Sequence, residues 1–422
     1  MSNLSFRSVV NNSSWLLFDK LSRIGLGLIV SVWVARYLGP SQFGELAYVV
    51  SALIFFQALA KVGLDGILVR ELSLNTADKD LILTTAFVIK LFAGFFSYLF
   101  SVSLFLIFES PNLTILMAFS GIYLFFQSFD VLELWFQSQS QNKKSVIAKL
   151  GAYIAVNLCR IWLIYTGKGI NYFAIFIAVE MFMAAVALCY IFLVGNCKFV
   201  WRFSKNLAAK FLRESWPYLL SSLSIVLYMR IDQLMLKNLM DEKSLGFYAA
   251  GVAISAQLSF VPVILQKTLT PYITRMKEDS PANYKSIIKK IFLVFSVSGW
   301  LVCICFYLVS EPLIIFLYGK DFTASADVFS VHIFTNLFIN LGIAQSIWMI
   351  LEKKGKLALA KTLIGLLVCI AGNLYFIPRF GIVGAAYSAV LAQLFQAIIA
   401  NAFLAPQIFL LQLKSLMLIK VK

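Results

Sequence analysis

Residues 81–107 read LILTTAFVIKLFAGFFSYLFSVSLFLI, a helix-length apolar run whose one charged side chain is Lys90. Continuous apolarity over more than about 20 residues is what a helix needs to cross a bilayer, whereas a membrane strand shows about ten alternating residues. The rest of the chain repeats this pattern. Of 422 residues, 61% are hydrophobic and 13% are charged, while soluble domains give about a quarter of their positions to charge. Mean hydropathy is +0.86. The chain therefore reads as an all-α, polytopic membrane protein. Twelve spans of about 20 residues need about 240 apolar-dominated positions, and the composition supplies them.

Apolar windows place the spans at 14–34, 46–67, 81–107, 113–136, 146–166, 170–194, 216–237, 245–266, 288–309, 325–350, 357–377 and 382–404. Turn chemistry marks several breaks, among them Leu38-Gly39-Pro40, Ser110-Pro111-Asn112 and Arg379-Phe380-Gly381. Basic residues test the count independently. With both termini in the cytoplasm, clusters such as Lys198, Arg202, Lys205, Lys210 and Arg213, or Lys353, Lys354 and Lys356, all fall on the cytoplasmic side. The opposite loops hold only Arg36, Lys168, Lys237, Lys243, Lys320 and Arg379, never clustered. That asymmetry follows the positive-inside rule. The formal charge of +16 is thus mostly a topology signal, and basic residues spread over short loops exclude a nucleic-acid-binding role. The N-terminus shows no signal-peptide cleavage pattern, so its apolar stretch reads as the first span.

Two similar halves are visible. Trp15 opens a span followed by Phe43-Gly44-Glu45-Leu46-Ala47-Tyr48, and Trp216 opens another followed by Leu245-Gly246-Phe247-Tyr248-Ala249-Ala250. Ala148-Lys149 matches Ala360-Lys361, and Gly169-Ile170 matches Gly381-Ile382, both at an offset of 212. The earlier offset is nearer 202, which fits an insertion of about ten residues at 311–320. Six spans per half make the repeat parallel, with a pseudo-twofold axis along the membrane normal. The expected organisation is an N-terminal six-helix lobe (1–200), a basic cytoplasmic linker (201–215), a C-terminal six-helix lobe (216–404) and a short basic tail (405–422). Two lobes about an axis suit alternating access, and short loops leave no room for a catalytic domain. The chain is not expected to be an enzyme. It has no Gly-Lys-Ser/Thr phosphate loop. Six unpaired-looking cysteines and a single histidine, His332, support neither a disulfide framework nor a metal site.

Charges inside the spans carry the functional signal, because an unpaired charge at mid-bilayer costs several kcal/mol and must meet a cavity or a partner. They are Asp19, Lys20, Arg23, Lys61, Asp65, Lys90, Asp130, Glu133, Arg160, Glu180, Arg230 and Asp232. Lys61 and Asp65, four apart, can pair within one helix. Arg230 and Asp232 point about 200° apart, so at least one pairs elsewhere or snorkels. Arg23 and Lys90 lie deep in apolar stretches and suit a cavity for an anionic head group.

The stretch Ala35-Arg36-Tyr37-Leu38-Gly39-Pro40-Ser41-Gln42-Phe43-Gly44-Glu45-Leu46-Ala47-Tyr48, with Gly63–Leu72 after it, resembles bacterial polysaccharide biosynthesis proteins. Most similar are the Wzx-type O-antigen flippases of the multidrug/oligosaccharidyl-lipid/polysaccharide exporter (MOP) superfamily, which includes the MATE exporters. The resemblance implies translocation of an undecaprenyl-pyrophosphate-linked oligosaccharide, the O-antigen repeat unit of lipopolysaccharide, across the bacterial inner membrane. It makes Arg23, Lys90, Arg160 and Arg230 substrate-binding cations, and Asp65, Asp130, Glu133 and Glu180 coupling or gating carboxylates. It implies no cofactor apart from H⁺ or Na⁺ as coupling ion. Its partners would be the lipid-linked oligosaccharide, membrane lipids, a polysaccharide polymerase and a chain-length regulator, with no nucleic acid. Peptidoglycan-precursor flippases look similar but usually carry two further C-terminal helices, for which Gln407–Lys422 is too short. Flippases for capsular or exopolysaccharide units, and ion-coupled multidrug exporters, stand as alternatives.

Overall fold

A computed structural model describes residues 6–74, 78–194, 200–279, 281–352 and 354–418. Every regular element among them is helical. In chain order these are α1 (Phe6–Lys61), α2 (Asp65–Leu74), α3 (Lys79–Phe108), α4 (Pro111–Gly121), α5 (Tyr123–Phe126), α6 (Asp130–Ser138), α7 (Asn142–Tyr165), α8 (Ile170–Val194) and α9 (Lys205–Leu239). There follow α10 (Glu242–Leu258), α11 (Phe260–Asp279), α12 (Pro281–Leu308), α13 (Ser310–Tyr318), α14 (Ala324–His332), α15 (Thr335–Leu351), α16 (Gly355–Leu394), α17 (Ala400–Leu404) and α18 (Pro406–Leu416).

Among the described residues, ten helical runs are long and apolar enough to cross a membrane, and two of them, Leu17–Leu74 and Leu357–Leu404, hold 58 and 48 residues. A bilayer needs only about 20. Each long run is broken by a glycine with positive φ, Gly39 (71°) and Gly381 (59°). A side chain would strain the backbone at either point, and Pro40 removes a helical N–H donor directly after the first. Each run thus supplies two crossings, and twelve are accommodated. The fold is that of an all-α polytopic membrane protein.

The chain forms two compact units. One comprises Met1–Leu38 and Tyr48–Val226, the other Gly39–Ala47 and Leu227–Lys422. The division falls inside α9, whereas the sequence pattern places a linker at 201–215. Helix α9 begins at Lys205 and absorbs most of that segment. The residues just before it are also held: Val200, Arg202 and Ser204 donate backbone N–H bonds to Asp80, Thr84 and Thr85 at 3.2, 3.4 and 3.3 Å. The supposed tail is likewise structured, since α18 buries Ile408, Gln412 and Ser415. Trp300 Nε1 donates to Leu416 O at 3.0 Å. The proposed ten-residue insertion is a short helix, α13, closed by Gly319 at φ 88°.

Helix α3 shows how the first unit is built. Its buried face carries Thr84, Thr85, Lys90, Gly94, Ser97 and Ser101, while Phe92, Phe96, Leu99, Phe100 and Leu106 are exposed. Small and polar groups pack inward and most of the phenylalanines face outward, Phe105 being the buried exception, as expected when the solvent is hydrocarbon. Gly94 is required, because a Cβ there would overlap the backbone of Leu124. Apolar clusters complete each unit: Leu64, Leu68, Leu72, Leu83 and Phe136 in the first, and Ile288, Phe292, Phe295, Leu341 and Ile398 in the second.

Candidate functional site

The polar face of α3 opens onto a set of charged side chains within the first unit. Lys90 Nζ lies 2.6 Å from Asp65 Oδ1, and Lys61 Nζ is 4.0 Å from the other carboxylate oxygen. The spacing of four anticipates the contact of Lys61 with Asp65 but not its setting: the two do not share one helix, since α1 ends at Lys61 and α2 begins at Asp65. The Lys90 contact was not legible, because it joins helices 25 positions apart. It also changes the picture of Lys90. Instead of an open cavity, Lys90 has a carboxylate partner: its side chain is 1% exposed and that of Asp65 is 43% exposed.

One layer away, Lys149 Nζ binds Glu133 Oε2 at 2.8 Å and Asp130 Oδ1 at 3.2 Å. Asp130 and Glu133 share a helix face because they are three apart on α6, and α7 brings Lys149 to both. Tyr123, on the short helix before the 3-10 turn Gln127–Phe129, is within electrostatic range of Asp130, Glu133, Lys149 and Glu180. Gln57 donates to its hydroxyl at 2.6 Å. A third group contains two of the proposed cations. Arg160 lies 3.3 Å from Glu180, and Arg23 bonds Asp19 at 2.9 Å, stands 4.0 Å from Glu180 and stacks on the Tyr153 ring at 4.9 Å. Gly27 admits the Tyr153 hydroxyl where a Cβ would collide with it. One terminal nitrogen of Arg23 is buried without a hydrogen-bond partner.

Five cations (Arg23, Lys61, Lys90, Lys149, Arg160) and five carboxylates (Asp19, Asp65, Asp130, Glu133, Glu180) thus balance one another inside one helical unit. Such pairing is the condition for keeping charge within a membrane. Sequence reasoning named nine of the ten as charges within spans and overlooked Lys149. The signal was present, because Lys149 recurs as Lys361 at the offset of 212. Both sit within the first five residues of an apolar window, where a lysine reads as an end cap.

Arg230 is the proposed cation that stands apart from this set. It belongs to the second unit, where its guanidinium donates to Gln233 at 3.4 Å. Asp232, two residues on, turns the other way and is buried, receiving the Tyr248 hydroxyl and the Gln233 N–H. His332 is buried as well, with Nδ1 2.6 Å from Ser255 Oγ. Lys361 is 4% exposed and bonds Gln345 Oε1, with Ala397 O at 3.5 Å.

An all-helical fold of membrane-crossing helices with paired charges inside one unit defines a class, the polytopic membrane proteins. Comparison with known proteins places the chain further. A family model described as polysaccharide biosynthesis protein matches residues 33–327, and the chain belongs to that family. Solved structures share the fold. A lipid II flippase, MurJ, in an inward closed conformation is similar at TM-score 0.73 and 16% identity, over 97% of this chain and 91% of that one. An inward-facing multidrug resistance MATE transporter of the MOP superfamily gives 0.66 and 15%, over 93% and 96%. A MOP superfamily transporter from Pyrococcus furiosus, described as having reversed binding-pocket polarity, gives 0.61 and 14%, over 96% of each chain. No curated protein matches the sequence.

Proposed function

We propose that this protein is a flippase that moves an undecaprenyl-pyrophosphate-linked oligosaccharide, an O-antigen repeat unit, across the bacterial inner membrane by alternating access. Membership of the polysaccharide biosynthesis family supports a lipid-linked glycan as cargo. The observation that carries the reading is the set of basic side chains kept inside one helical unit, Arg23, Lys90, Lys149 and Arg160, each held by carboxylates. A pyrophosphate cannot cross hydrocarbon unaided, whereas its polyprenyl tail can remain in lipid. Buried and half-buried lysines and arginines that can exchange a carboxylate for a phosphate lower that barrier. The accompanying carboxylates suit coupling to H⁺ or Na⁺, which we propose as the driving ion.

The test is glycan display on intact cells divided by the amount of membrane-inserted protein. Lys90→Ala should lower this ratio about tenfold, the scale of one charged contact, and Lys90→Arg should retain most of it. Unchanged ratios in both would remove Lys90 from the transport path. Export of a capsular unit in place of the O-antigen unit would redirect the substrate and keep the mechanism. Drug efflux without glycan export would replace it with the ion-coupled exporter.

A further inference from the structure

Asp65 is the most exposed of the five interior carboxylates, yet it contacts the least exposed cation, Lys90. It also stands 4.0 Å from Lys61 and within electrostatic reach of Lys149. One accessible carboxylate therefore faces three lysines. The backbone before it is unusual. Val62 and Gly63 both take positive φ, 55° and 66°, between α1 and α2. Glycine accepts that region freely, but a β-branched valine there is a genuine outlier. Such strain persists only where the surroundings impose it, and it gathers at clamps and switches. Here the surroundings are α9: a Cβ on Gly63 would overlap the backbone of Ser215, Tyr218 and Leu219. Asp65 is thus the first residue of α2, directly after a strained turn seated against a neighbouring helix.

We propose that Asp65 is an internal stand-in for the substrate's phosphate. It holds Lys90 and Lys61 while no head group is bound, and a pyrophosphate displaces it, with Val62–Gly63 as the pivot. The inference rests on the anionic-head-group reading above and adds selectivity to it. Lys90 is buried, so it never stands without an anion, because an uncompensated buried cation is strongly unfavourable. A zwitterionic phospholipid has no net charge with which to replace Asp65, whereas a pyrophosphate brings more charge and more acceptor oxygens than one carboxylate. Competition from Asp65 also keeps the bound state weak enough to release its cargo, the condition for passage through any binding site.

The experiment measures equilibrium binding of farnesyl pyrophosphate to the full chain in detergent, with farnesol and inorganic pyrophosphate in parallel. Asp65→Asn keeps the side chain's shape and removes the competing charge, so it should bind farnesyl pyrophosphate about tenfold tighter than wild type. Asp65→Asn with Lys90→Gln should lose that gain. A gain shared by inorganic pyrophosphate assigns recognition to the phosphates alone, and a gain confined to farnesyl pyrophosphate adds the lipid tail; both support displacement. Should Asp65→Asn fail to fold, Asp65→Cys in a background lacking the six native cysteines provides the test. Its high affinity should return to the wild-type value after modification with a sulfonate-bearing thiol reagent, but not with an ammonium-bearing one. If wild type binds and neither Asp65 variant binds tighter, Asp65 is only an ion-pair partner and the displacement is wrong, while the head-group reading stands. If no form binds pyrophosphate, or farnesol binds equally well, the head-group reading itself fails.

Discussion

Lys149 and Lys361 occupy matching places in the two halves of the sequence, and the structure surrounds them differently. Lys149 meets two carboxylates, Asp130 and Glu133. Lys361 meets none among its hydrogen-bond partners: Gln345 stands 212 positions after Glu133, and the remaining acceptor is the Ala397 carbonyl. That carbonyl lies in a π-helical turn, Phe395–Ile399, a local widening often found at functional places in helices. It accepts from Asn401 and Gln412 as well as Lys361. Asn401 in turn bridges Gln345 and Gln412. One half therefore keeps its lysine in a charged network, the other in a network of neutral amides. The charged network is the one suited to exchanging anions. The amide network satisfies its members without any exchangeable ion and fixes α18 in place.

Removing each lysine should break this comparison most sharply. Lys149→Met strands Asp130 and Glu133 side by side, and deleting one partner of a buried ion pair costs about 3 kcal/mol or more. Lys361→Met leaves no carboxylate behind, and the Gln345 and Ala397 oxygens keep donors from Asn401 and Gln412. Its effect should stay within about 1 kcal/mol, and a gain is allowed, since apolar replacement of buried charge is often neutral or better. Thermal melting of both variants in detergent decides this, and similar losses would mean the two sites are held alike.

Exchanging the acidic and amide partners sharpens the contrast with smaller changes. Glu133→Gln gives Lys149 the partner type that Lys361 has, but Asp130 remains at 3.2 Å, so the loss should be about 1–2 kcal/mol. Gln345→Glu supplies Lys361 with a carboxylate and deletes the amide donor to Asn401. These effects offset, leaving a change under about 1 kcal/mol. Melting temperatures that move equally in both variants would show that the charge on the partner does not matter.

The sequence pattern captured this architecture unevenly, for physical reasons. Spans are legible because bilayer thickness imposes a length and a composition on each helix, and Gly39-Pro40 and Gly381 are legible because only a few residues tolerate such turns. Arg23, Lys90, Arg160 and Glu180 stand out as charges in apolar runs. Which of them pair does not, because Lys90–Asp65 and Arg160–Glu180 join helices through packing that no local period encodes. Pairing changes what the cations mean, from open groups to groups already held by a carboxylate. The docking of α18 was hidden for a different reason. An 11-residue segment containing Lys414 lacks the length of a span and reads as a tail, although Ile408, Gln412 and Ser415 recur on one face.

That docking can be tested more gently. Gln412→Leu removes one bond to Asn401 and one to the Ala397 carbonyl, and both atoms keep other partners. The expected loss is about 1 kcal/mol, accompanied by faster proteolytic cleavage beyond Ala405. Melting and cleavage rates equal to those of wild type would show that apolar contacts of Ile408 hold the helix without the amide network.

The smallest expected effect lies outside the spans of the second unit. Glu352 follows α15 and accepts from Lys277 Nζ at 2.8 Å and from the Tyr284 hydroxyl at 2.9 Å. The Lys277 hydrogen bond, helped by Tyr284, holds its carboxyl below the ordinary value of 4.5 despite partial burial. A carboxylate depressed in the folded state contributes stability that is fully present above its unfolded pKa and disappears as pH falls through the folded one. The contribution should therefore be constant at neutral pH and lost on acidification below about pH 4.5. Glu352 is partly solvated, so the loss is small, as for most surface pairs. Tyr284 cannot substitute for it, because burial and the bond to Glu352 push the phenol up and keep it neutral throughout that range. Comparing the melting temperature of Glu352→Gln with wild type between about pH 7 and about pH 3 isolates the contribution. The two curves should converge as pH falls, and curves that stay parallel would show that the Glu352 carboxylate has no depressed pKa and that Lys277 holds it by geometry alone.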